Sequence, residues 1–324
     1  MMIMRVVLTA CAIVMSLAVP ARAAEESLKV RFTWKLKGEY APLYVAQDKG
    51  LFTKYGLQVT MGEGAGGQAA MGALVQGQED VVVVPGVYAL TTVSKGMPVR
   101  LIALYHPATP FGLFSFADNP VRSPKDLEGL KIATSFDNFS NHINAFCRKN
   151  NIDCDKISKV RVNIAMQQQL FVGRQVDAFG GYLNVDWPLL KRATSEPLVA
   201  LDVSKYGFSV PGLAIATSNT MLEKRPDVLR KFLAAVAEGT AMTRADVPAA
   251  TDILMKSWAV SPNRTVIQEQ IESSIGATPV YPGRPTGWID ENVLSEALNM
   301  LLETREIEIK QPMEKYFTNA LLPK

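Results

Sequence analysis

The chain has only two histidines, His106 and His142, and three cysteines, Cys11, Cys147 and Cys154, in 324 residues. Neither histidine stands at metal-ligand spacing from a cysteine, and neither His-Glu-x-x-His nor Cys-x-x-Cys occurs. Zinc chemistry of the usual kinds therefore has no ligand set to stand on. Gly-x-Ser-x-Gly is missing too, so there is no nucleophile elbow. Net charge is also scarce. Thirty-four Lys and Arg against 31 Asp and Glu leave +3. No basic block stands out, so neither nucleic acid nor an anionic membrane has an electrostatic footprint here. Nothing along the chain is of low complexity. No apolar run reaches the ~20 residues of a membrane-spanning helix.

What is present begins with a leader. Arg5 follows four residues, Met1 to Met4, and Val6 to Val19 is apolar apart from Thr9 and Ser16. Ala21-Arg22-Ala23 then reads as a small-residue cleavage site, followed by the polar Glu25-Glu26-Ser27. This is the form of a secretory signal peptide, residues 1–23. Leu8-Thr9-Ala10-Cys11 resembles a lipobox, but lipidation at Cys11 would leave almost no apolar segment ahead of it, so plain cleavage is the expectation. Removing the leader takes away Arg5 and Arg22 and no acid, and net charge falls from +3 to +1. The expected product is a soluble protein of the periplasm. That oxidising compartment permits a disulfide between Cys147 and Cys154. A buried free Cys147 beside an unrelated Cys154 is the alternative.

The rest alternates short β-rich runs with helical patterns, the signature of an α/β protein with largely parallel strands. Strands are expected at 30–34, 57–61, 80–84, 99–105, 113–116, 131–134, 159–162, 178–179, 198–203 and 212–217. Helices are expected between them, and four more follow over 226–305. Val81 to Val84 is continuously apolar, as in a sheet covered on both faces. Two α/β units follow from this, joined by crossings near 116–120 and 207–212. Lobe 1 takes 24–117 and 210–324, and lobe 2 takes 118–209. Two crossings make a hinge, and the cleft between the lobes is a natural ligand site. A step ending in Asp80 (Leu74-Val75-Gln76-Gly77-Gln78-Glu79-Asp80) recurs as Phe171 to Asp177, a faint internal echo read as a structural turn in each lobe.

Several segments, in order, carry a resemblance. They are Tyr44-Val45-Ala46, Gly50-Leu51-Phe52, Tyr55 to Val59, Leu74 to Val81, Gly96-Met97-Pro98-Val99, Ser123-Pro124-Lys125-Asp126-Leu127 and Gly173 to Ala178. Together they resemble the NMT1/THI5-like solute-binding proteins of ABC importers, relatives of sulfonate- and taurine-binding proteins. The resemblance covers about residues 30–250. It implies a two-lobed, Venus-flytrap binding protein with no cofactor. Such a protein acts as a monomer that closes on a small molecule and docks on a membrane permease. Fungal enzymes of the family make the thiamin pyrimidine, but their cysteine-rich motif is missing here. A ligand-sensing module would use the same fold.

The stretch Met61-Gly62-Glu63-Gly64-Ala65-Gly66-Gly67-Gln68 fits G-x-G-x-x-G, a pattern that often cradles a pyrophosphate. The context is wrong for a dinucleotide, because the loop follows the second strand and no ribose-binding acid lies about 20 residues on. The glycines are expected instead to let backbone approach a solute and to present N–H groups from a helix start. Strand ends and helix N-termini facing the cleft supply the other candidates. They are Trp34, Glu39, Tyr40, Gly66, Gly67, Gln68, Gly86 and Tyr88 from lobe 1. From lobe 2 come Ser135, Phe136, Asp137, Asn138, Gly181, Tyr182 and Asn184, with Phe208 at the return crossing. Lys37 and Glu39 depart from the family's usual pair at this place. The set is rich in aromatics and poor in cations, so a flat heterocyclic or aromatic solute is expected. An alkylsulfonate held by helix N-terminal N–H groups is the alternative.

Overall fold

The computed structural model describes residues 25–134 and 139–324. The leader lies outside them, and so do Ser135, Phe136, Asp137 and Asn138. The chain begins β1 (Glu26–Phe32), α1 (Ala41–Asp48), α2 (Leu51–Lys54), β2 (Leu57–Gly62), α3 (Gly67–Val75), β3 (Val81–Pro85), α4 (Gly86–Ser94) and β4 (Val99–Leu104). It continues β5 (Phe111–Phe116), β6 (Lys131–Thr134), α5 (Phe139–Lys149), β7 (Ser158–Arg161), α6 (Ile164–Val172), β8 (Ala178–Tyr182), α7 (Asp186–Ala193) and β9 (Leu198–Asp202). After β10 (Leu213–Ser218) come α8 (Asn219–Lys224), α9 (Pro226–Ala245), α10 (Val247–Met255), α11 (Arg264–Ala277) and α12 (Glu291–Glu303).

Among the described residues, ten strands form two five-stranded sheets, ordered β2-β1-β3-β10-β4 and β7-β6-β8-β5-β9. The two orders are the same pattern. In each sheet one strand, β10 or β5, runs antiparallel to both its neighbours, and it is the strand reached by a crossing from the other sheet. The valines of β3 show why the sheet is covered twice. Successive side chains of a strand point to opposite faces. Val82 and Val84 pack with Leu74 and Leu90 from α3 and α4, whereas Val81 and Val83 pack with Leu43 and Phe232 from α1 and α9.

The internal echo has a physical cause. Beyond α3, Gly77 N–H bonds Leu74 O and Gln78 N–H bonds Ala73 O; beyond α6, Arg174 N–H bonds Phe171 O and Gln175 N–H bonds Leu170 O. Both are the paired closures that end a helix through a left-handed residue. The left-handed residues are Gly77 (φ 71°) and Arg174 (φ 56°), so Arg174, and not Gly173, makes the second turn. Three residues on, each aspartate clasps the neighbouring parallel strand. Asp80 N–H bonds Lys29 O and its carboxylate accepts Lys29 N–H at 2.8 Å; Asp177 does the same with Lys131, at 2.7 Å.

The lobe boundary differs from the expected one. All six residues of β5 are buried and paired with β8 and β9, so this strand belongs to the second sheet and not to a lobe 1 running to residue 117. The first crossing is therefore 105–110, ahead of 116–120. It pairs with the second: Thr109 N–H bonds Val210 O, and Gly212 N–H bonds His106 O. β1 also ends two residues before Trp34, because Thr33 turns out of the strand. The C-terminal helices return to lobe 1, α9 against α1 and α12 against the α4 side, while the end of the chain covers the edge of β4 through Leu101 and Phe317. Cys147 and Cys154 are bonded, with Cα atoms 5.7 Å apart, tying the end of α5 to the following turn. Among the described residues, no helix is long and apolar enough to cross a membrane.

Candidate functional site

The carboxyl ends of β1, β2 and β3 form one wall, and the segment leaving β1 is fastened there. Thr33 N–H and its hydroxyl both bond Val83 O. The glycine loop then folds back on this segment: Gly64 N–H bonds Trp34 O (3.2 Å) and Gly66 N–H bonds Thr33 O (2.8 Å). The Glu63 carboxylate accepts Leu36 N–H at 2.8 Å and the Lys35 ammonium at 3.0 Å, and the Leu36 bond leads in holding its pKa below the ordinary carboxylate value. A β-carbon on Gly64 would lie 1.9 Å from Phe32 O, and one on Gly67 would lie 2.4 Å from the Tyr88 ring. Thus, while a β-carbon on Gly66 would meet nothing within 4 Å and that glycine serves by its positive φ of 126°, Gly64 and Gly67 let protein meet protein. Gly86 behaves likewise: its N–H bonds Gly212 O at 2.6 Å, Val87 N–H bonds Pro211 O, and a β-carbon would strike Pro211.

Across from this wall stands the end of β8, and the two lobes meet in a buried polar junction. The Lys37 ammonium lies 2.6 Å from the Glu39 carboxylate and 5.3 and 5.6 Å from the Tyr40 and Tyr182 rings. Burial opposes its charge, yet Glu39, Tyr40 and Asp186 outweigh that and raise its pKa. Asn184 donates to Ser274 Oγ at 3.0 Å and to Glu39 at 3.4 Å. The Asp186 carboxylate accepts Tyr182 N–H at 2.6 Å; burial raises its pKa, against that bond and Lys37. Gly181 is small because a β-carbon there would meet this carboxylate. His106 Nε2–H donates to Ser274 O at 3.0 Å, and burial lowers its pKa, so it is neutral with the proton on Nε2.

The nominated residues separate into four groups. Trp34, Glu39, Tyr182 and Asn184 stand at or beside the junction. Gly86 and Gly181 are packed against Pro211 and Asp186, Gly67 lies against the Tyr88 ring, and Gly66 holds a positive φ of 126° with nothing within 4 Å of its β position. Gln68 and Tyr88 line a groove of ≈ 420 Å³ between α3 and α4 instead. Tyr40 and Phe208 are core, both at 0 % exposure. The Tyr40 ring stacks on Phe32 with centroids 4.2 Å apart, and burial pushes its pKa up to about 12. Lys37 and Asp186 are absent from the nominated set, as are Gln270 and Ser274 on α11. Gln270 clasps both lobes, its carbonyl accepting Gly38 N–H and its amide donating to Val185 O, both at 2.9 Å. A sequence signal for it exists: Gln270 and Ser274 interrupt the apolar stripe Val266, Ile267, Ile271 and Ile275 four residues apart. A cavity behind Glu39 and His106 measures ≈ 20 Å³, room for a water and no solute.

Two sheets of one topology, joined by a pair of crossings and facing each other across a polar junction, are the fold of the two-lobed periplasmic binding proteins. Within that class, the model of the family described as NMT1/THI5 like matches residues 37–250, and the chain belongs to that family. A putative thiamine biosynthesis protein of Haemophilus influenzae is 23% identical over 228 residues, 68% of this chain and 70% of the other. A solved structure from Bordetella bronchiseptica RB50 is 21% identical with a TM-score of 0.71, covering 92% of this chain and 96% of that one. The periplasmic aliphatic sulphonate binding protein SsuA from Escherichia coli is 16% identical with a TM-score of 0.69, covering 90% and 91%. α11 and α12 lie beyond the matched 37–250, so the Gln270 clasp is a feature of this chain outside that span.

Proposed function

We propose that the chain is an exported solute-binding protein. It captures a small molecule between its lobes and delivers it to the membrane permease of an ABC importer. The observation that carries this reading is the junction itself. Strand ends from two sheets converge on Lys37, Glu39, Tyr182, Asn184 and Asp186, and only two paired crossings join the sheets, so the lobes can part and close by hinge bending. Trp34 and Tyr182, both half-buried, offer ring faces with polar edges, which suits a flat aromatic or heterocyclic solute.

The test is a melting screen of the mature chain against pyrimidines, aromatic acids, flavins and alkylsulfonates. A true solute at a hundred times its Kd stabilises by about 2.7 kcal/mol. It also reduces the radius of gyration as the lobes close. If no class of solute shifts melting or binds by calorimetry, the binding reading fails.

A further inference from the structure

The junction has a sign. Two carboxylates, Glu39 and Asp186, share one cation, Lys37, and Lys37 is already engaged. Glu39 bonds it at 2.6 Å, and the Tyr40 and Tyr182 rings lie 5.3 and 5.6 Å from its ammonium. Five backbone donors around the junction are engaged as well: the N–H groups of Gly64, Gly66, Gly86, Val87 and Tyr182 end on protein oxygens, and N–H groups so engaged do not cradle an anion. An acceptor, by contrast, is left over. Asn184 is 1 % exposed, its amide nitrogen serves Ser274 and Glu39, and its Oδ1 has no hydrogen-bond partner among the described residues. A buried acceptor without a donor is costly, and a site in which anions outnumber cations repels a further anion strongly once water is excluded.

We infer that the junction receives the positively charged or N–H-rich end of a solute, such as an ammonium or amidinium group carried on a flat ring, and rejects sulfonate, carboxylate and nitrate ends. Such a group would return the junction to neutrality and supply Asn184 Oδ1 with its donor, while the ring would lie beside Tyr182 and Trp34. This rests on the solute-binding reading and goes further only in the sign of the ligand.

Four probes of one ring size separate the two: benzamidine, benzylamine, benzyl alcohol and benzenesulfonate, each titrated calorimetrically into the mature protein, the Glu39→Gln variant and the Asp186→Asn variant. Benzamidine or benzylamine should bind, with benzyl alcohol weaker and benzenesulfonate silent. Each substitution removes one negative charge at nearly constant volume and should weaken the cation about tenfold or more, equal to about 1.4 kcal/mol. Far-ultraviolet dichroism of each variant checks that it is folded. If benzenesulfonate binds and the cations do not, the inferred sign is wrong and the solute-binding reading stands. If a cation binds equally well to all three proteins, it sits elsewhere and the inference is likewise overturned. If no probe binds at millimolar concentration, the inferred sign is overturned, and the solute-binding reading is decided by the melting screen alone.

Discussion

The glycine motif yields the sharpest prediction, because two of its neighbours should respond in opposite directions. A β-carbon on Gly64 would stand 1.9 Å from Phe32 O, 2.6 Å from Thr33 O and 2.8 Å from Thr33 C. All three are backbone atoms at the end of a central strand, so nothing can rotate aside. The loop must withdraw, breaking the bonds Gly64 N–H to Trp34 O and Gly66 N–H to Thr33 O. Each is worth about 1 kcal/mol net, and the charged bond from Leu36 N–H to Glu63 about 1.5–3 kcal/mol if it is lost as well. Gly64→Ala should therefore cost about 2–5 kcal/mol. Gly72, in the middle of α3, meets nothing within 4 Å. Gly72→Ala should stabilise by about 0.5–1 kcal/mol, through helix propensity alone. Urea unfolding of both variants followed by dichroism gives the two values at constant slope. A Gly64→Ala protein within about 1 kcal/mol of the parent would refute the packing role of the motif. So would two shifts of the same sign. A free, solute-facing loop would tolerate the extra methyl.

Three further outcomes follow from the same geometry. The Cys147–Cys154 bond closes a short loop, sequence separation 7, and its removal by double substitution to Ala should cost about 2 kcal/mol. Equal melting of the parent with and without reductant would show the pair unbonded in solution. Gln270→Ala leaves Gly38 N–H and Val185 O without partners, at about 1–3 kcal/mol each, and should enlarge the radius of gyration in small-angle scattering. An unchanged profile would deny the clasp between lobes. Asp186 tests electrostatics. Burial raises its folded pKa above the ordinary 3.8, so the native state holds this proton more tightly than the unfolded chain. Its contribution to stability is then greatest below pH 3.8 and declines as pH rises through the folded value. Asp186→Asn should accordingly gain on the parent between pH 4 and pH 7 in chemical denaturation, and a constant difference would contradict this.

Much of the fold is legible along the chain. Periodicity places the strands and most of the helices, and helix-ending glycines such as Gly77 and Gly96 mark where they stop. The left-handed Arg174 is not legible, since nothing in its residue type announces positive φ; the register with Gly77 appears only when the two Asp clasps are superposed. The sequence pattern leaves β5 within a lobe 1 that runs to residue 117, because a continuously apolar strand fits either sheet. Pairing with β8 and β9 is a long-range choice that local pattern does not encode. Tyr40 and Phe208 illustrate the same limit at the site. An aromatic next to a strand end reads equally as wall or as core, and the stacking of Tyr40 on Phe32 decides.

The sequence by itself determines the α/β alternation, the family and the places where strands end, because these depend on hydrophobic period, turn chemistry and short motifs, all local. It also places Trp34, Glu39, Tyr182 and Asn184 near the junction, since strand ends of such folds point there. Only the tertiary structure decides which groups meet. Lys37, Glu39 and Asp186 share a desolvated space with Gln270 and Ser274 of α11, more than 80 residues further along the chain than Asp186. Charge balance, and with it the sign of the expected solute, is a property of that meeting and of no segment alone. The glycine loop shows the same division. Its spacing is a fact of the sequence, but that the Gly64 and Gly66 amides bond Trp34 and Thr33 follows from how closely two strand ends approach.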